Sequence, residues 1–173
     1  MAERLEFVVR GTPEPQPRPR AQVIARPGRK AFAHIYTPDD ARDWRKAVLW
    51  AARRTPGFPA DPWVGPIRVS IEAHFKRPER LMRKDSPDGP IRKNSKPDVD
   101  NVLKSVLDAL TPPRPKKAMK NEAIRAALRR GYLWVDDCQV HLGPVDRFYA
   151  AKDCAPGVIV IAERIEEEAA CSS

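Results

Sequence analysis

An amphipathic segment at residues 96–110, Lys-Pro-Asp-Val-Asp-Asn-Val-Leu-Lys-Ser-Val-Leu-Asp-Ala-Leu, constrains the fold of this chain most. Its apolar residues recur at helical spacing: Val99, Val102, Leu103, Val106, Leu107 and Leu110. Because a residue that precedes proline disfavours helical backbone, the helix is predicted to begin close to Asp98. Asp100, Lys104 and Asp108 then share its polar side. The apolar side has to be covered by another part of the fold.

The other periodic segments predict an α+β fold. Residues 67–75 alternate between apolar and polar side chains, as a half-buried strand does. Further strands are predicted at residues 4–10, 31–36, 139–149 and 157–165, and further helices at residues 37–54 and 121–130. This order of elements predicts one domain over residues 1–165, in which a mixed β-sheet packs with two or three helices. Residues 166–173 are predicted to form an acidic, flexible tail.

Two loops contain the basic residues that we consider as contacts to an anionic partner. Residues 11–20 are too rich in proline for a helix or a central strand, so they are predicted to form an extended surface loop. Residues 77–95 form a second, polar loop that is long for a compact domain. Since the chain has a net charge of +9, an anionic partner is favoured, with nucleic acid as the first candidate. The residues that we predict to grip phosphates are Arg18, Arg20, Arg77 and Lys93.

The composition also predicts a compartment. No run of residues approaches the roughly 20 apolar positions that a membrane span needs. The first residues alternate in charge, unlike a secretory signal. The three cysteines share no metal-ligand spacing with the three histidines, which argues against zinc and favours reduced thiols. We therefore expect a cytoplasmic protein that does not bind a membrane.

Four carboxylates are candidates for chemistry. Asp98 and Asp100 lie at the predicted helix start, and Asp136 and Asp137 lie at the edge of a predicted strand. If the helix packs on the sheet, the two pairs converge at one end of the sheet. Three carboxylates and water form the oxygen-rich coordination that Mg²⁺ or Mn²⁺ prefers. Such a site could polarise a phosphodiester, with Lys104 one turn away to offset developing charge.

A structural reading of the same acids competes with the catalytic one. Asp98 is a suitable N-cap and Asp100 suits the helix dipole, each contributing about 1 kcal/mol. Asp136 and Asp137 could form a plain turn, and Asp108 could be the partner of Lys104 at i,i+4. Spacing alone leaves both readings open.

A resemblance to a known family favours catalysis. The motif Lys-Pro-Asp-Val-Asp-Asn at residues 96–101, with Lys104 and Leu-Asp-Ala-Leu at residues 107–110, is followed by Val-Asp-Asp-Cys-Gln-Val at residues 135–140. Together these motifs resemble the signature of the RusA family of Holliday junction resolvases. The Pro/Arg segment at residues 11–20 is also similar to the start of that family. The resemblance covers most of the chain.

The resemblance implies a homodimeric, Mg²⁺-dependent endonuclease that nicks branched DNA, with Mn²⁺ as a substitute metal. Asp98, Asp100 and Asp137 match the metal-binding catalytic positions, with Asp136 beside them, and Lys104 matches an essential lysine. A four-way junction is two-fold symmetric, so a C2 dimer could nick two opposed strands. Many members of the family are phage-encoded.

One stretch departs from the family pattern. Residues 112–131 are longer than the compact connection expected there, and are rich first in proline and then in basic residues. They could form a DNA-contacting arm, alter the preference among branched substrates, or be a solvated insertion without a role. Two alternative functions also remain at this point: a nuclease for flaps or replication forks, and a non-catalytic DNA-binding protein.

Overall fold

The computed structural model describes residues 3–16, 20–25, 28, 30–36, 39–114 and 121–166. Its strands are β1 (Arg4–Arg10), β2 (Arg20–Ile24), β3 (Phe32–Tyr36), β4 (Ile67–Phe75), β5 (Ile91–Arg92), β6 (Val140–Tyr149) and β7 (Gly157–Arg164). Its α-helices are α1 (Asp39–Arg54), α2 (Val99–Leu110) and α3 (Glu122–Arg129), and short 3₁₀ turns lie at Glu79–Leu81 and Asp137–Gln139.

Five strands form one mixed sheet in the order β1-β7-β4-β6-β5. Strands β4 and β6 are parallel, whereas β1–β7, β4–β7 and β5–β6 are antiparallel. The parallel pair needs a long crossover, and α2 lies within it. The predicted α+β class with a mixed sheet is confirmed.

The core lies between this sheet and the helices α1 and α2. Strand β4 buries every second residue, and β1 does the same with Leu5, Phe7 and Val9. From α2, Val102, Val106 and Leu110 are fully covered, so the apolar side of the helix packs inward as its spacing predicts. Helix α1 adds Trp44 and Val48 to the same cluster. The polar side of α2 is thereby turned away from the core.

A strand that the sequence did not predict follows the proline-rich loop. Strand β2 begins at Arg20 and pairs with β3 in a separate two-stranded sheet. The predicted surface loop is also wrong at Pro13, which is buried, and the backbone N–H of Gln16 donates to the carbonyl of Asn101 at 2.9 Å. The loop is therefore tied to the first turn of α2.

The segment before β4 belongs to the core as well. Residues 56–66 are rich in proline and glycine, as a linker would be, but Trp63 is buried and forms a β-bridge with Trp134. Its backbone N–H donates to the carbonyl of Leu133 at 2.8 Å. Within the part of the chain that the structure describes, no helix has both the length and the apolar character needed to span a bilayer.

Candidate active site and basic cleft

The first acidic pair sits at the start of α2, where both carboxylates are exposed. Asp98 occupies the N-cap position with extended backbone, yet its side chain accepts no capping hydrogen bond. Asp100 lies in the first turn. Among the described residues, neither carboxylate forms an ion pair or a hydrogen bond. The capping alternative is therefore wrong for the side chain of Asp98, and both acids remain available for a ligand.

Two cations hold the turn that leads into α2. The buried ammonium of Lys93 donates to the carbonyl and the hydroxyl of Ser95, at 2.9 and 2.7 Å, and to the carbonyl of Lys96. From β6, Arg147 donates to the carbonyl of Ser95 at 3.1 Å and to that of Pro97. The Lys96–Pro97 peptide bond is cis. The hydrogen bonds from Lys93 and Arg147 fix the backbone immediately before Asp98.

The burial of Lys93 corrects one of our sequence predictions. Lys93 and Arg77 were expected to grip DNA from a surface loop, but they are only 6% and 7% exposed. Arg77 donates to the carbonyls of Ala150 at 2.8 Å and Pro87 at 2.6 Å, and also to Gly89. A buried cation is stable only when its donors are paired, and both residues are paired with backbone oxygens of their own chain. They stabilise the loop at residues 77–95 and are not presented to a ligand.

The other two predicted DNA contacts concern the proline-rich segment. Arg18 lies outside the described residues. Arg20 begins β2, but its side chain is not among those that the structure describes. Both residues therefore remain predictions.

The second acidic pair forms a 3₁₀ turn in which the two acids differ. Asp136 is the N-cap: its carboxylate accepts the backbone N–H of Cys138 at 3.0 Å, and Gln139 accepts that of Asp136 at 3.0 Å in return. The N–H of Cys138 lowers the pKa of Asp136. This reciprocal pattern is a capping box, which the spacing Asp136-x-x-Gln139 could have indicated. Asp136 thus has a structural role, and Asp137, exposed in the first turn, is the better candidate for chemistry.

This second pair is anchored near the C-terminal end of α2. The indole N–H of the fully buried Trp134 donates to the hydroxyl of Thr111 at 2.7 Å. The backbone N–H of Leu133 donates to the carbonyl of Leu110 at 3.1 Å. Arg147, by contrast, contacts the turn that precedes the start of the helix, so β6 and α2 run in opposite directions.

The four acids consequently form two separate groups within one chain. Asp100 and Thr111 are eleven positions apart, a rise of about 16 Å along an α-helix. Among the described residues, no three of the Asp, Glu, His and Cys side chains lie close enough to hold a metal ion. The single chain does not bring Asp98 and Asp100 together with Asp137 in the way that the sequence suggested.

A cleft of about 860 Å³ opens beside the second pair, between α1, α2 and α3, and we call it the basic cleft. Asp136 and Asp137 line it together with Lys104 and Asp108. Asp108 is 3.6 Å from the guanidinium of Arg45, so its ion pair is with α1 and not with Lys104. Seven lining residues are Lys or Arg and three are Asp: Arg42, Arg45, Lys46, Lys104, Arg114, Arg125 and Arg129 against Asp108, Asp136 and Asp137. The cleft therefore attracts anions.

Comparison with known proteins identifies the family. The model of the endodeoxyribonuclease RusA family matches residues 10–161, which includes both acidic motifs and all the strands of the five-stranded sheet except most of β1 and the end of β7. The chain belongs to the RusA family. It is also 27% identical over 111 residues to the uncharacterized protein YqaN of Bacillus subtilis (strain 168), an alignment that covers 61% of this chain and 73% of that protein. The resemblance recognised in the sequence is confirmed, and RusA membership places the chain among endodeoxyribonucleases that act on Holliday junctions.

Proposed function

We propose that this RusA-family chain is a divalent-metal-dependent endonuclease that resolves Holliday junctions by nicking opposed strands. The observation that carries the proposal is the exposure of the carboxylates of Asp98 and Asp100 on a fixed turn. Lys93 and Arg147 donate hydrogen bonds that fix the turn before these two acids. Both carboxylates are nevertheless exposed, and neither is paired with another described residue. Two carboxylates that a fixed turn presents to solvent are suited to bind a divalent cation.

The acids suit magnesium by their chemistry. Carboxylate oxygens are the donors that Mg²⁺ and Mn²⁺ prefer, and Asp98, Asp100 and Asp137 would hold the ion. When bound, the ion supplies the positive charge that activates water and offsets charge on the phosphodiester. Lys104 lies one turn after Asp100 and lines the basic cleft, where its ammonium would bind a phosphate oxygen. Lys93 and Arg147 act as positioning residues for the acid pair.

In a homodimer, the two groups of acids could come together at one site. We place Asp98 and Asp100 of one copy beside Asp137 of the other, because one described chain holds no group of three metal-binding side chains. The hairpin β2–β3 supports association of two copies. One of its faces consists of Ala21, Val23, Ala33 and Ile35, and Val23 and Ile35 are 70% and 68% exposed. A charge-free, exposed face of this kind is typical of an interface.

Cutting of a labelled four-way junction tests the proposed activity. We expect nicking with Mg²⁺, none with chelator, and weaker cutting of flaps and replication forks. Asp100→Asn should abolish nicking and leave junction binding intact, since it removes a metal ligand and no described contact of the fold. Asp85→Asn, which removes an exposed carboxylate in the loop at residues 77–95, is the matched control and should cut normally. Nicking by Asp100→Asn would remove that residue from the mechanism.

Mixed dimers test the arrangement of the site. Asp100→Asn and Asp137→Asn should each be inactive alone. If the site combines acids from two chains, a dimer of one copy of each variant has one intact site and regains single-strand nicking. If each chain carries its own site, co-expression of the two variants restores nothing, and the two-chain arrangement is wrong while the nuclease proposal stands.

A further inference from the structure

Helix α3 forms part of the wall of the basic cleft without being part of the core. It begins at Asn121, whose side-chain oxygen accepts the N–H groups of Ala123 and Ile124 at 2.9 and 3.3 Å. None of its residues is buried. Arg125 and Arg129 lie one turn apart and both line the cleft. The helix is thus built to present side chains and not to fill the fold.

The position of α3 is fixed by contacts at its C-terminal end. The guanidinium of Arg53, in the last turn of α1, donates to the carbonyl of Gly131 at 2.6 Å and lies 5.6 Å from the centre of the Tyr132 ring. Leu133 and Trp134 then join the chain to α2 and lead to the acidic turn. Helix α3 is therefore held at a set place relative to Asp137.

The described contacts of Arg125 and Arg129 are weak enough to be exchanged. Both guanidiniums approach Glu122 of the same helix, at 3.7 and 3.4 Å. Partly exposed pairs of this kind contribute about 0–1 kcal/mol. Both arginines line the cleft, so their positive charge is within reach of an anion bound there. A bridging phosphate would offer each guanidinium a stronger, charge-assisted hydrogen bond.

The same cleft carries a second pair of cations with the same spacing. Arg42 and Lys46 lie one turn apart on α1, and Lys46 pairs with Asp43 at 2.8 Å in an exposed contact. One helical turn is about 5.4 Å, which is comparable with the step between neighbouring phosphates of a DNA strand. These pairs and Lys104 line the same cleft as Asp136 and Asp137, and such a set of cations is suited to a polyanion.

We propose that α3 is a DNA-gripping wall, in which Arg125 and Arg129 bind successive phosphates of a strand that runs through the basic cleft past Asp137. The inference rests on the proposed nuclease function and adds a binding element to it. It gives the stretch at residues 112–131 a role: a DNA strand is held by arginines from α3 as well as by cations from α1. These contacts are to phosphates only, so they contribute affinity and register without sequence preference.

Salt dependence of binding is the direct measurement of this role. Each phosphate contact to duplex DNA contributes about 0.9 to the slope of log K against log salt concentration, so loss of two contacts should reduce the slope by roughly 1.8. The probe is a fluorescein-labelled four-way junction, bound without divalent metal so that it is not cut. We expect Arg125→Ala/Arg129→Ala to show the reduced slope and weaker binding at low salt. Arg125→Lys/Arg129→Lys keeps both charges and should keep the slope.

The control variant removes two positive charges from a surface outside the basic cleft. Arg83 and Lys84 are exposed in the loop at residues 77–95 and do not line the cleft, so Arg83→Ala/Lys84→Ala should bind with the wild-type slope. Circular dichroism checks that the alanine variant is folded, which we expect because α3 is exposed and alanine favours helix.

The outcomes separate the two proposals. If the wild type binds and cuts and the α3 alanine variant has an unchanged slope, the wall is wrong and the nuclease function stands. If the slope falls as expected but the wild type never cuts, the wall stands and the nuclease function is wrong. If the wild type does not bind the junction, both are wrong. An equal fall in slope for the Arg83/Lys84 control would also overturn a specific role for α3.

Discussion

Lys93 links the stability of the fold to the geometry of the candidate site, and Lys93→Met tests that link. The substitution keeps an unbranched side chain of similar length, so the packing around the stem is largely retained. It removes the ammonium that donates to Ser95 and Lys96 and that lies 5.0 and 5.3 Å from the ring centres of Phe75 and Tyr149. The carbonyl oxygens before α2 lose a buried donor.

The size of the effect follows from these contacts. A hydrogen bond to a charged group contributes about 1.5–3 kcal/mol, and the carbonyl of Ser95 keeps a second donor in Arg147. Loss of the cation–π contacts adds about 1 kcal/mol to the destabilisation. Part of this sum is offset, because the variant no longer has to bury a charged ammonium. We expect a net loss of about 3 kcal/mol in the free energy of unfolding. For a chain of this size that corresponds to a melting temperature lower by roughly 6–12 °C.

The assay combines unfolding with nicking. Urea titration should show the lower free energy of unfolding, and under conditions where the variant is folded its nicking rate should fall by about 100-fold, since the turn before Asp98 is no longer fixed. The control is the adjacent Arg92→Met. Arg92 is exposed, pairs with Asp146 at 3.0 Å and lies 5.5 Å from the centre of the Phe148 ring, so its loss should cost at most about 2 kcal/mol. Equal stability of the two variants would refute the argument that the buried ammonium organises this turn.

Two further predictions concern pH and backbone packing. The N–H of Cys138 holds the pKa of Asp136 in the folded protein below its ordinary value of 3.8. A carboxylate with a lowered pKa stabilises the fold at pH values above its unfolded pKa, and this stabilisation is lost as the pH falls through the folded pKa. Asp136→Ala should therefore melt below the wild type at neutral pH, with a difference that shrinks in acid; a constant difference would contradict this. At Gly157 a Cβ atom would lie 2.8 Å from the carbonyl oxygen of Val9, so Gly157→Ala should lower the free energy of unfolding by about 1–3 kcal/mol, measured by urea titration. Gly89→Ala is the control: no neighbouring heavy atom lies within 4 Å of the added Cβ atom, so this variant should have nearly the wild-type free energy of unfolding.

The regular elements could be predicted because their information is local. The spacing of Val102, Val106 and Leu110 specifies which side of α2 is buried, and the alternation through Ile67–Phe75 specifies β4. That alternation also continues one step further, to Arg77, and so could have indicated that this arginine points inward. We read Arg77 as a surface residue because charged side chains are rarely buried unless they are paired.

The missed features depend on contacts between distant segments. Trp63 is buried because it meets Leu133 and Trp134, and Lys93 is buried because the chain returns over it at Ser95. Strand β2 exists because β3 pairs with it, whereas its own five residues are a weak strand signal. The separation of the acidic pairs has the same origin. The first pair lies at the start of α2 as its own motif predicts, but the place of the second pair near the C-terminal end of α2 is set by tertiary packing.

The pairing of β1 with β7 has a consequence for how the protein is made. Arg10 lies opposite Gly157, and β7 separates β1 from β4 in the sheet. During synthesis, β1 and β4 leave the ribosome long before the strand that joins them, and each has an unpaired backbone edge until then. Pairings between such distant segments form slowly. The interval before β7 is synthesised is therefore a period in which the nascent chain is open to aggregation.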